Sequence, residues 1–394
     1  MKHLRRFFTT IANNYNPLPV NIVRGKDIYL YDINNIKYVD LLAGYSAVNQ
    51  GHCHPKLVSV MNRQCSTLTL TSRVVQAENL FQWANYITNL FKYDKVLAMN
   101  SGAEAVETAM KLARKYGYQQ ISTNPKIICL NGNFHGRTLG TISLSDYFNY
   151  RYGFGPLLEN IVNVPFNDSK KLIEVVEKNE DICAILYEPI QGEGGINAIS
   201  TEYFNTLHQI KKQYPHILLI ADEIQTGLGR CGALTASEVL YPTIKPDVLI
   251  LGKALSGGML PMSCILADKH LMDVFNPGSH GSTYGGNPLA CAVSIEALEI
   301  IKNECIPNVK RNQELIKRLL LDIKNSNVIS TKGVGMFCGI QFEPSYNLED
   351  LRLRMLEKKY ITCTSRNNTL RITPPLTISK SKIQNAFDIL RENI

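Results

Sequence analysis

The sequence has no long hydrophobic run. Its longest apolar stretches, such as Ile182–Tyr187 and Ile217–Ala221, are far shorter than the roughly 20 residues that a bilayer-spanning helix needs. A membrane-spanning protein is therefore excluded. Intrinsic disorder is excluded as well, because 45% of the 394 residues are hydrophobic and the net charge of +8 is spread thinly along the chain. A chain of this length predicts about two to three domains.

Paired cysteines are also missing. The ten cysteines stand singly, none forms a C-x-x-C pair, and no cleavable signal peptide precedes them. We expect reduced thiols in an intracellular compartment, the cytoplasm or alternatively the mitochondrial matrix. The stretch Met1–Ala12 has three basic residues, no acid, and apolar residues at helical spacing. That composition is typical of a mitochondrial presequence, and equally of an N-terminal segment that docks on its own fold.

Nucleic-acid and metal-binding patterns are weak. Basic residues cluster only at Lys2–Arg6 and Lys310–Arg318, without an aromatic-interleaved stripe, so we expect no nucleic-acid partner. His52 and His54 flank Cys53, but adjacent ligands do not easily converge on one ion and no partner set follows at zinc spacing. We predict no metal site there, and instead a tight turn before a helix that begins near Pro55.

Short β-rich runs alternate with amphipathic helices from about residue 95. Runs without polar alternation are typical of strands buried on both faces of a parallel sheet. The predicted strands are Lys95–Met99, Lys126–Leu130, Ile182–Tyr187, Ile217–Ala221 and Val248–Leu251, and the helices between them include Glu104–Tyr116, Ser169–Lys178 and Tyr203–Gln213. The fold class is therefore α/β, with a large domain built on a central, mainly parallel sheet flanked by helices.

The two ends of the chain have different patterns. We predict a helix from Pro288 to about Cys305, a separate helix Asn312–Ile323, strands near Val334–Gln341 and Thr369–Thr373, and a closing helix near Ser379–Glu392. The first residues hold a strand pair, Ile28–Tyr31 and Ile36–Asp40, and are too few for a core of their own. We expect an N-terminal segment (residues 1–66) that packs with the small domain, a large cofactor-binding domain (67–290) and a small α+β domain (291–394).

Chemically useful residues collect where the predicted strands end, which is the edge at which open parallel sheets bind ligands. They are Asn100, Ser101, Gly102 and Ala103 at a helix start, then Asp222, Glu223 and Gln225, then Gly252 and Lys253. Taken singly, such residues are more often surface cations, helix caps or loop positions. Together and in this order they favour pyridoxal 5′-phosphate (PLP) chemistry. A helix N-terminus suits a phosphate, a desolvated lysine can form a Schiff base with an aldehyde, and an aspartate can keep a pyridine nitrogen protonated.

Six longer motifs carry a family resemblance. They are Tyr45–Pro55, Asn133–Thr138, Glu188–Glu193, Asp222–Gly227, Leu251–Gly258 and His280–Pro288. Two of them resemble the class III (fold type I) PLP-dependent aminotransferases, and the others resemble, more narrowly, the ornithine aminotransferases. The similarity extends from about Tyr15 to the C terminus.

The resemblance implies a role for each cofactor-site residue. Lys253 would form the Schiff base and carry the proton between substrate and cofactor. Asp222 would meet the pyridine nitrogen and Gln225 the ring oxygen, with Phe134 and Ile224 on the two ring faces. The phosphate would be bound by Ser101, Gly102 and Ala103 from one subunit and by Ser282 and Thr283 from its partner. This arrangement implies a homodimer with shared active sites, and leaves a higher oligomer open.

The resemblance also implies the reaction, which moves the δ-amino group of L-ornithine to 2-oxoglutarate and gives glutamate 5-semialdehyde and glutamate. Arg137 and Tyr45 would hold the α-carboxylate of ornithine while Glu193 neutralises Arg371. Arg371 would then be released to bind the α-carboxylate of 2-oxoglutarate. Val74-Val75-Gln76 stands where these enzymes tend to place aromatic residues. N-acetylornithine and 4-aminobutyrate are the alternative amine donors, and a non-catalytic binding protein that keeps the fold is the alternative class.

Overall fold

The computed structural model describes residues 10–394, so most of the stretch Met1–Ala12 lies outside the described residues. The strands are β1 Ile22–Lys26, β2 Tyr29–Asp32, β3 Lys37–Asp40, β4 Lys95–Met99, β5 Lys126–Leu130, β6 Ile161–Val164, β7 Ile182–Tyr187, β8 Ile190–Gln191, β9 Asn197–Ala198, β10 Leu218–Asp222, β11 Val248–Leu251, β12 Ser263–Ala267, β13 Val328–Val334, β14 Phe337–Phe342, β15 Tyr360–Ile361, β16 Cys363–Ser365 and β17 Thr369–Ile372.

The helices lie between these strands and at the C terminus. They are α1 Ala43–Ser46, α2 Pro55–Cys65, α3 Glu78–Phe91, α4 Gly102–Gln120, α5 Leu139–Ser143, α6 Phe148–Arg151, α7 Ser169–Glu177, α8 Thr201–Gln213, α9 Ala236–Leu240, α10 Lys269–Met272, α11 Pro288–Ile300, α12 Ile306–Leu321, α13 Leu348–Glu357 and α14 Lys380–Asn393. None of the helices within residues 10–394 has the length and apolar character needed to cross a membrane.

The central sheet has seven strands in the order β4-β12-β11-β10-β7-β5-β6. Every neighbouring pair is parallel except the two pairs made by β12, which runs antiparallel to β4 and β11. The prediction of an α/β fold with a mainly parallel sheet is confirmed, although β6 and β12 were not predicted. Because β12 runs opposite to both its neighbours, β4 still points the same way as β10 and β11.

The central strands are apolar throughout because both faces of the sheet are covered. Along β10, Leu219 and Ala221 belong to one hydrophobic core, whereas Leu218 and Ile220 belong to a second core on the other face. All four side chains are about 1% exposed or less. Successive side chains of a strand point to opposite faces, so the residues of β10 alternate between the two cores. Both faces are buried, and no position along the strand is left for a polar residue.

The helical region after Asn287 is continuous, which corrects the predicted break between Cys305 and Asn312. The helices α11 and α12 are joined by a π-helical turn, Ile301–Cys305. This wider turn comes just before Pro307, whose ring in a regular α-helix would collide with the carbonyl four residues earlier. The turn lets one helix run past the proline. Its residues contribute to the cores of both the large sheet and the C-terminal part.

The C-terminal strands also differ from the prediction. The strand expected at Val334–Gln341 corresponds to β14, whereas β13, which precedes it and forms a hairpin with it, was not predicted. The sheet order is β13-β14-β17-β16. The chain reverses at Gly335, which has a φ of +59° and could not carry a side chain there without strain. An apolar run hides such a reversal when the turn is only two residues long.

The N-terminal strands form a sheet with a strand from the C-terminal part. The order is β1-β2-β3-β15, and Val39 pairs with Tyr360 in the parallel step between β3 and β15. Ile28, Leu41 and Leu57 lie in one hydrophobic core with residues of α12, α13 and α14. These contacts place the segment that precedes α3 against the C-terminal part of the chain.

Candidate active site

The carboxyl ends of β4, β5, β7, β10 and β11 meet at one edge of the central sheet, since these strands are parallel to one another. Asp222 is the last residue of β10, and Lys253 follows β11 after a single glycine. Glu188 follows β7 directly, and Ser101 lies two residues after β4. The topology therefore brings to one edge the polar residues that the sequence places far apart.

Lys253 begins a short 3₁₀ turn, Lys253–Ser256, and has a φ of +46°. That left-handed conformation is costly for a residue with a Cβ and is found mainly where the surroundings impose it. Burial lowers the pKa of Lys253 to about 8, assisted by the charge of Arg371 and opposed by the charges of Glu193, Asp222 and Glu188. A substantial fraction of this lysine is therefore neutral near physiological pH, as a nucleophilic amine requires.

Asp222 is 4% exposed and is held from two directions. Its Oδ1 accepts a hydrogen bond from the backbone N–H of Ile224 at 3.1 Å, and its Oδ2 lies 2.7 Å from Nδ1 of His135. Burial by itself lowers the pKa of His135, but the hydrogen bond and charge of Asp222 and the charge of Glu188 outweigh it, so that the pKa is raised. The contact with Asp222 thus favours the protonated form of His135, whose Nε2 is buried without a hydrogen-bond partner in the described part of the chain.

Glu188 is the second buried carboxyl group of this cluster, at 6% exposure. Its oxygens accept hydrogen bonds from the backbone N–H of Phe134 at 3.0 Å and of Gly192 at 3.4 Å. Burial raises the pKa of Glu188 to about 7, since the charge of Asp222 adds to the effect while His135 and the two backbone donors oppose it. The cluster therefore holds two buried carboxyl groups, of which Glu188 titrates near neutrality.

The start of α4 forms a capping box. The Oγ of Ser101 accepts from the backbone N–H of Glu104 at 3.2 Å, and the carboxylate of Glu104 accepts from the backbone N–H of Ser101 at 2.5 Å. The next amides, of Gly102 and Ala103, have no acceptor within a helix and point out at the positive end of its dipole. A Cβ on Gly102 would lie 3.0 Å from Cδ1 of Ile224, so the glycine allows Ile224 to pack at the helix start.

Arg371 and Glu193 form an ion pair beside this cluster. Arg371 lies on β17 and is 0% exposed, and its Nη1 donates to Oε1 of Glu193 at 2.6 Å. Glu193 belongs to the loop after β8 and keeps 22% of its side chain exposed. A buried guanidinium that depends on a carboxylate from a separate, partly exposed loop can change partners when that loop moves.

Tyr45 lies on a strained turn next to the same arginine. The four residues of α1 all have φ between +51° and +70°, although only one of them is glycine. Asp40 stabilises the turn, because its Oδ1 accepts two backbone N–H groups at 2.8 and 3.0 Å, and its Oδ2 lies 2.7 Å from Nε2 of His52. The ring centroid of Tyr45 is 5.2 Å from Cζ of Arg371. The ring of His52 is thus paired with the carboxylate of Asp40. No group of possible metal ligands occurs within residues 10–394.

Arg137 is exposed and lies against aromatic rings. Its Cζ is 3.6 Å from the ring centroid of Tyr150 and 5.2 Å from that of Phe134. The rings of Phe134 and Tyr150 meet edge to face at 5.8 Å. The ring of Tyr45 contacts Arg371, so the two residues expected to share a carboxylate, Tyr45 and Arg137, are each held by a different neighbour.

The remaining predicted residues lie around this edge. Gln225 is 8% exposed and its Nε2 donates to the backbone oxygen of Tyr45 at 3.5 Å. The Oγ of Ser282 accepts from Nδ2 of Asn100, next to the start of α4, at 2.9 Å, and Thr283 is exposed. Thr283 also lines a small cavity together with Val75 and Gln76. The contribution of Ser282 and Thr283 to a partner subunit's site stays a prediction.

Besides His135, three residues near the site were not predicted from the sequence as site residues. Glu188 opens the Glu188–Glu193 motif and follows a fully buried strand, which is the signal that singled out Asp222. Tyr150 and Cys363 lie in segments without a recognisable motif. Only the folded chain shows that they contact Arg137 and Arg371.

Comparison with known proteins agrees with this geometry. A model of the family described as Aminotransferase class-III matches residues 10–394. The ornithine aminotransferase of Plasmodium falciparum is 43% identical over 390 residues, which are 97% of this chain and 93% of that protein. The structure of the Toxoplasma gondii ornithine aminotransferase crystallised with oxidised glutathione, which has partial occupancy of PLP at its active site, gives a TM-score of 0.95 at 35% identity, covering 99% of this chain and 93% of that one. The acetylornithine aminotransferase of Elizabethkingia anophelis gives 0.88 at 37% identity, covering 100% and 97%.

A family match over nearly the whole chain, and relatives above 30% identity at almost full coverage, agree with the lysine, the aspartate and the helix start that converge at the sheet edge. The chain therefore belongs to the class III aminotransferases, a family of PLP-dependent enzymes.

Proposed function

We propose that this protein transfers the δ-amino group of L-ornithine to 2-oxoglutarate, with glutamate 5-semialdehyde and L-glutamate as products. The observation that carries this proposal is the buried Arg371–Glu193 pair beside Lys253. A site that must accept a diamino acid in one half-reaction and a dicarboxylate in the other needs an arginine whose charge can be neutralised or released. The identity to ornithine aminotransferases over 97% of the chain supports the same substrate.

The residues at the sheet edge fit PLP as the cofactor. The free amides of Gly102 and Ala103 suit its phosphate, Asp222 suits its ring nitrogen, and Lys253 suits its aldehyde. Phe134 and Ile224 would lie on the two faces of the ring. When bound, the cofactor supplies an aldehyde that takes up the amino group and a ring that stabilises negative charge on the adjacent carbon.

Lys253 moves the proton in this proposal. Because its pKa is lowered to about 8, the amine can take a proton from the amine-bearing carbon of the substrate and return it one position away. The positive φ of Lys253 fixes where its side chain leaves the backbone, so the amine is held in place before the substrate binds.

Asp222 is fixed in place by two hydrogen-bonding groups. The backbone N–H of Ile224 and the ring of His135 both hydrogen-bond to its oxygens. An ionised aspartate at the ring nitrogen keeps that nitrogen protonated. His135 thus acts through Asp222 as a positioning residue.

The two substrates are distinguished by their carboxylates. Arg137, held between Phe134 and Tyr150, binds the α-carboxylate of ornithine while Glu193 neutralises Arg371. The dicarboxylate then displaces Glu193 and is clamped by Arg371 and Arg137 at its two ends. In our proposal the site is completed by Ser282 and Thr283 of a second copy of this chain, in a homodimer.

N-acetylornithine is the second candidate donor. The similarity to an acetylornithine aminotransferase at 37% identity and full coverage favours it. Val75 and Gln76, which stand where the family resemblance led us to expect aromatic residues, line a cavity together with Thr283. N2-acetylornithine carries its acetyl group on the α-nitrogen and keeps a free δ-amino group. This donor would therefore react through the same δ-amino group as ornithine and place its carboxylate at the same end of the site.

A single-turnover experiment on the PLP-loaded protein tests the proposal. We expect L-ornithine to abolish the absorbance of the aldehyde form of the cofactor and 2-oxoglutarate to restore it. Borohydride should fix the cofactor to the peptide that contains Lys253. Lys253→Ala should prevent the loss of absorbance with L-ornithine and the borohydride labelling. The control is Lys332→Ala, at another lysine whose pKa is lowered by burial, and it should prevent neither of these. Labelling of a different lysine would refute the assignment.

A further inference from the structure

Arg371 has a second side-chain partner besides Glu193. Its Nη2 donates to Sγ of Cys363 at 3.0 Å, while its Nη1 donates to Glu193. Both terminal nitrogens of the guanidinium are therefore held, and its Nε is buried without a hydrogen-bond partner in the described part of the chain. A carboxylate that binds the two terminal nitrogens end-on must displace both Glu193 and Cys363.

Strand pairing fixes the contact with the thiol. The strands β16 and β17 are antiparallel, and Cys363 lies directly opposite Arg371 in their register. Directly opposite residues project from the same face of a sheet and lie close enough to interact. Cys363 is 5% exposed and Arg371 is 0% exposed, so water does not compete for this hydrogen bond.

We propose that Cys363 is a positioning residue that holds Arg371 in its Glu193-paired orientation and thereby sets the balance between the amino-donor and dicarboxylate half-reactions. This inference rests on the proposed function. Besides the ion pair with Glu193, the hydrogen bond to Cys363 must also break before Arg371 is released.

The direction of the effect follows from the contacts. The hydrogen bond to Cys363 exists when Arg371 is paired with Glu193 and must be broken when Arg371 turns to a dicarboxylate. Removing the thiol therefore destabilises the paired orientation relative to the released one. Dicarboxylates should bind more tightly to such a variant, and ornithine, which needs the paired orientation, should not.

The test compares Cys363→Ala and Cys363→Ser with the wild-type PLP-loaded enzyme. The probe is glutarate, a dicarboxylate that has no oxo group and cannot react, and its Kd is measured by calorimetry. We expect Cys363→Ala to bind glutarate about fivefold more tightly, which is the effect of losing one hydrogen bond. Cys363→Ser keeps an acceptor, but its hydroxyl oxygen stands on a shorter bond and lies farther from Nη2 of Arg371, so this variant should fall between Cys363→Ala and the wild type. The KM for L-ornithine should not decrease in either variant.

The matched controls are Cys338→Ala and Cys338→Ser. Cys338 is also buried in this sheet, and it pairs with Ile372 rather than with Arg371. Both controls should keep wild-type glutarate affinity. A Kd for glutarate that is unchanged or higher in Cys363→Ala, or an equal gain for ornithine, would overturn the inference. If Cys363→Ala fails to fold, the test rests on Cys363→Ser. A Kd for glutarate in Cys363→Ser equal to that of the wild type would then overturn the inference. Failure of the wild-type enzyme to transaminate ornithine would instead refute the proposed function.

Discussion

Replacing Glu188 with glutamine removes a carboxyl group that the fold buries beside Asp222. The change keeps the shape of the side chain, and its remaining oxygen can still accept the hydrogen bond from the backbone N–H of Phe134. The weaker bond from Gly192, at 3.4 Å, loses its acceptor. Glu188→Gln therefore removes an ionisation at the cost of one long hydrogen bond.

The structure gives the size and the sign of the effect. Glu188 has an ordinary pKa of 4.5 and a folded-state pKa of about 7. Between these values the folded protein keeps a proton that the unfolded chain releases, so the contribution of Glu188 to stability decreases as pH rises. At about 1.4 kcal/mol per pKa unit, the decrease amounts to about 3 kcal/mol by pH 8. Because Glu188 is buried, solvent does not screen this contribution.

The assay is thermal unfolding of the wild type and of Glu188→Gln, both with PLP at saturation, from pH 4.5 to pH 8. Measured against the wild type, the Tm of the variant should increase by about 4 °C over this range. Glu357→Gln, at an exposed position, is the matched control and should follow the wild type. A Tm difference between Glu188→Gln and wild type that stays constant with pH would show that folding does not raise the pKa of Glu188, and would contradict this prediction.

Three further changes probe the substrate side of the site. Glu193→Gln leaves the buried guanidinium of Arg371 without its counter-charge, so the KM for L-ornithine should rise about tenfold and the KM for 2-oxoglutarate should not rise. Equal increases in the two KM values would contradict the pairing of Glu193 with Arg371. Asp40→Asn weakens the turn that carries Tyr45, which should lower stability by about 2 kcal/mol in urea unfolding and raise the KM for ornithine; unaltered stability would argue against that role. Tyr150→Leu removes the ring under Arg137 and should raise both substrate KM values about fivefold, whereas Tyr150→Phe should keep wild-type values; a loss in the phenylalanine variant would assign the effect to the hydroxyl.

The central sheet was largely predictable because burial on both faces leaves a direct trace in the sequence. The strands β4, β5, β7 and β11 have the predicted bounds, and β10 is displaced by one residue. The antiparallel strand β12 was missed, since its sequence is as apolar as that of the parallel strands and nothing local encodes direction. The hairpin of β13 and β14 and the π turn before Pro307 were missed because each depends on a single residue inside an otherwise regular pattern.

The site was predictable to the extent that its chemistry follows strand ends. Asp222 and Lys253 were found in that way, and the family resemblance supplied their roles. The contacts that hold Arg371 and Arg137 could not be predicted, because Cys363 and Tyr150 meet them only through strand register and loop packing. Long-range pairing of this kind has no periodicity that a sequence pattern could reveal.

A comparison of amino donors tests the central claim most directly. The PLP-loaded enzyme is supplied with 2-oxoglutarate and with L-ornithine, N-acetylornithine or 4-aminobutyrate in separate reactions. Glutamate is measured in each reaction, and pyrroline-5-carboxylate, the cyclised form of glutamate 5-semialdehyde, is trapped in the ornithine reaction. We expect the highest kcat/KM with L-ornithine and one pyrroline-5-carboxylate for each glutamate. An equal or higher kcat/KM with N-acetylornithine, or glutamate formed from ornithine without pyrroline-5-carboxylate, would contradict this claim.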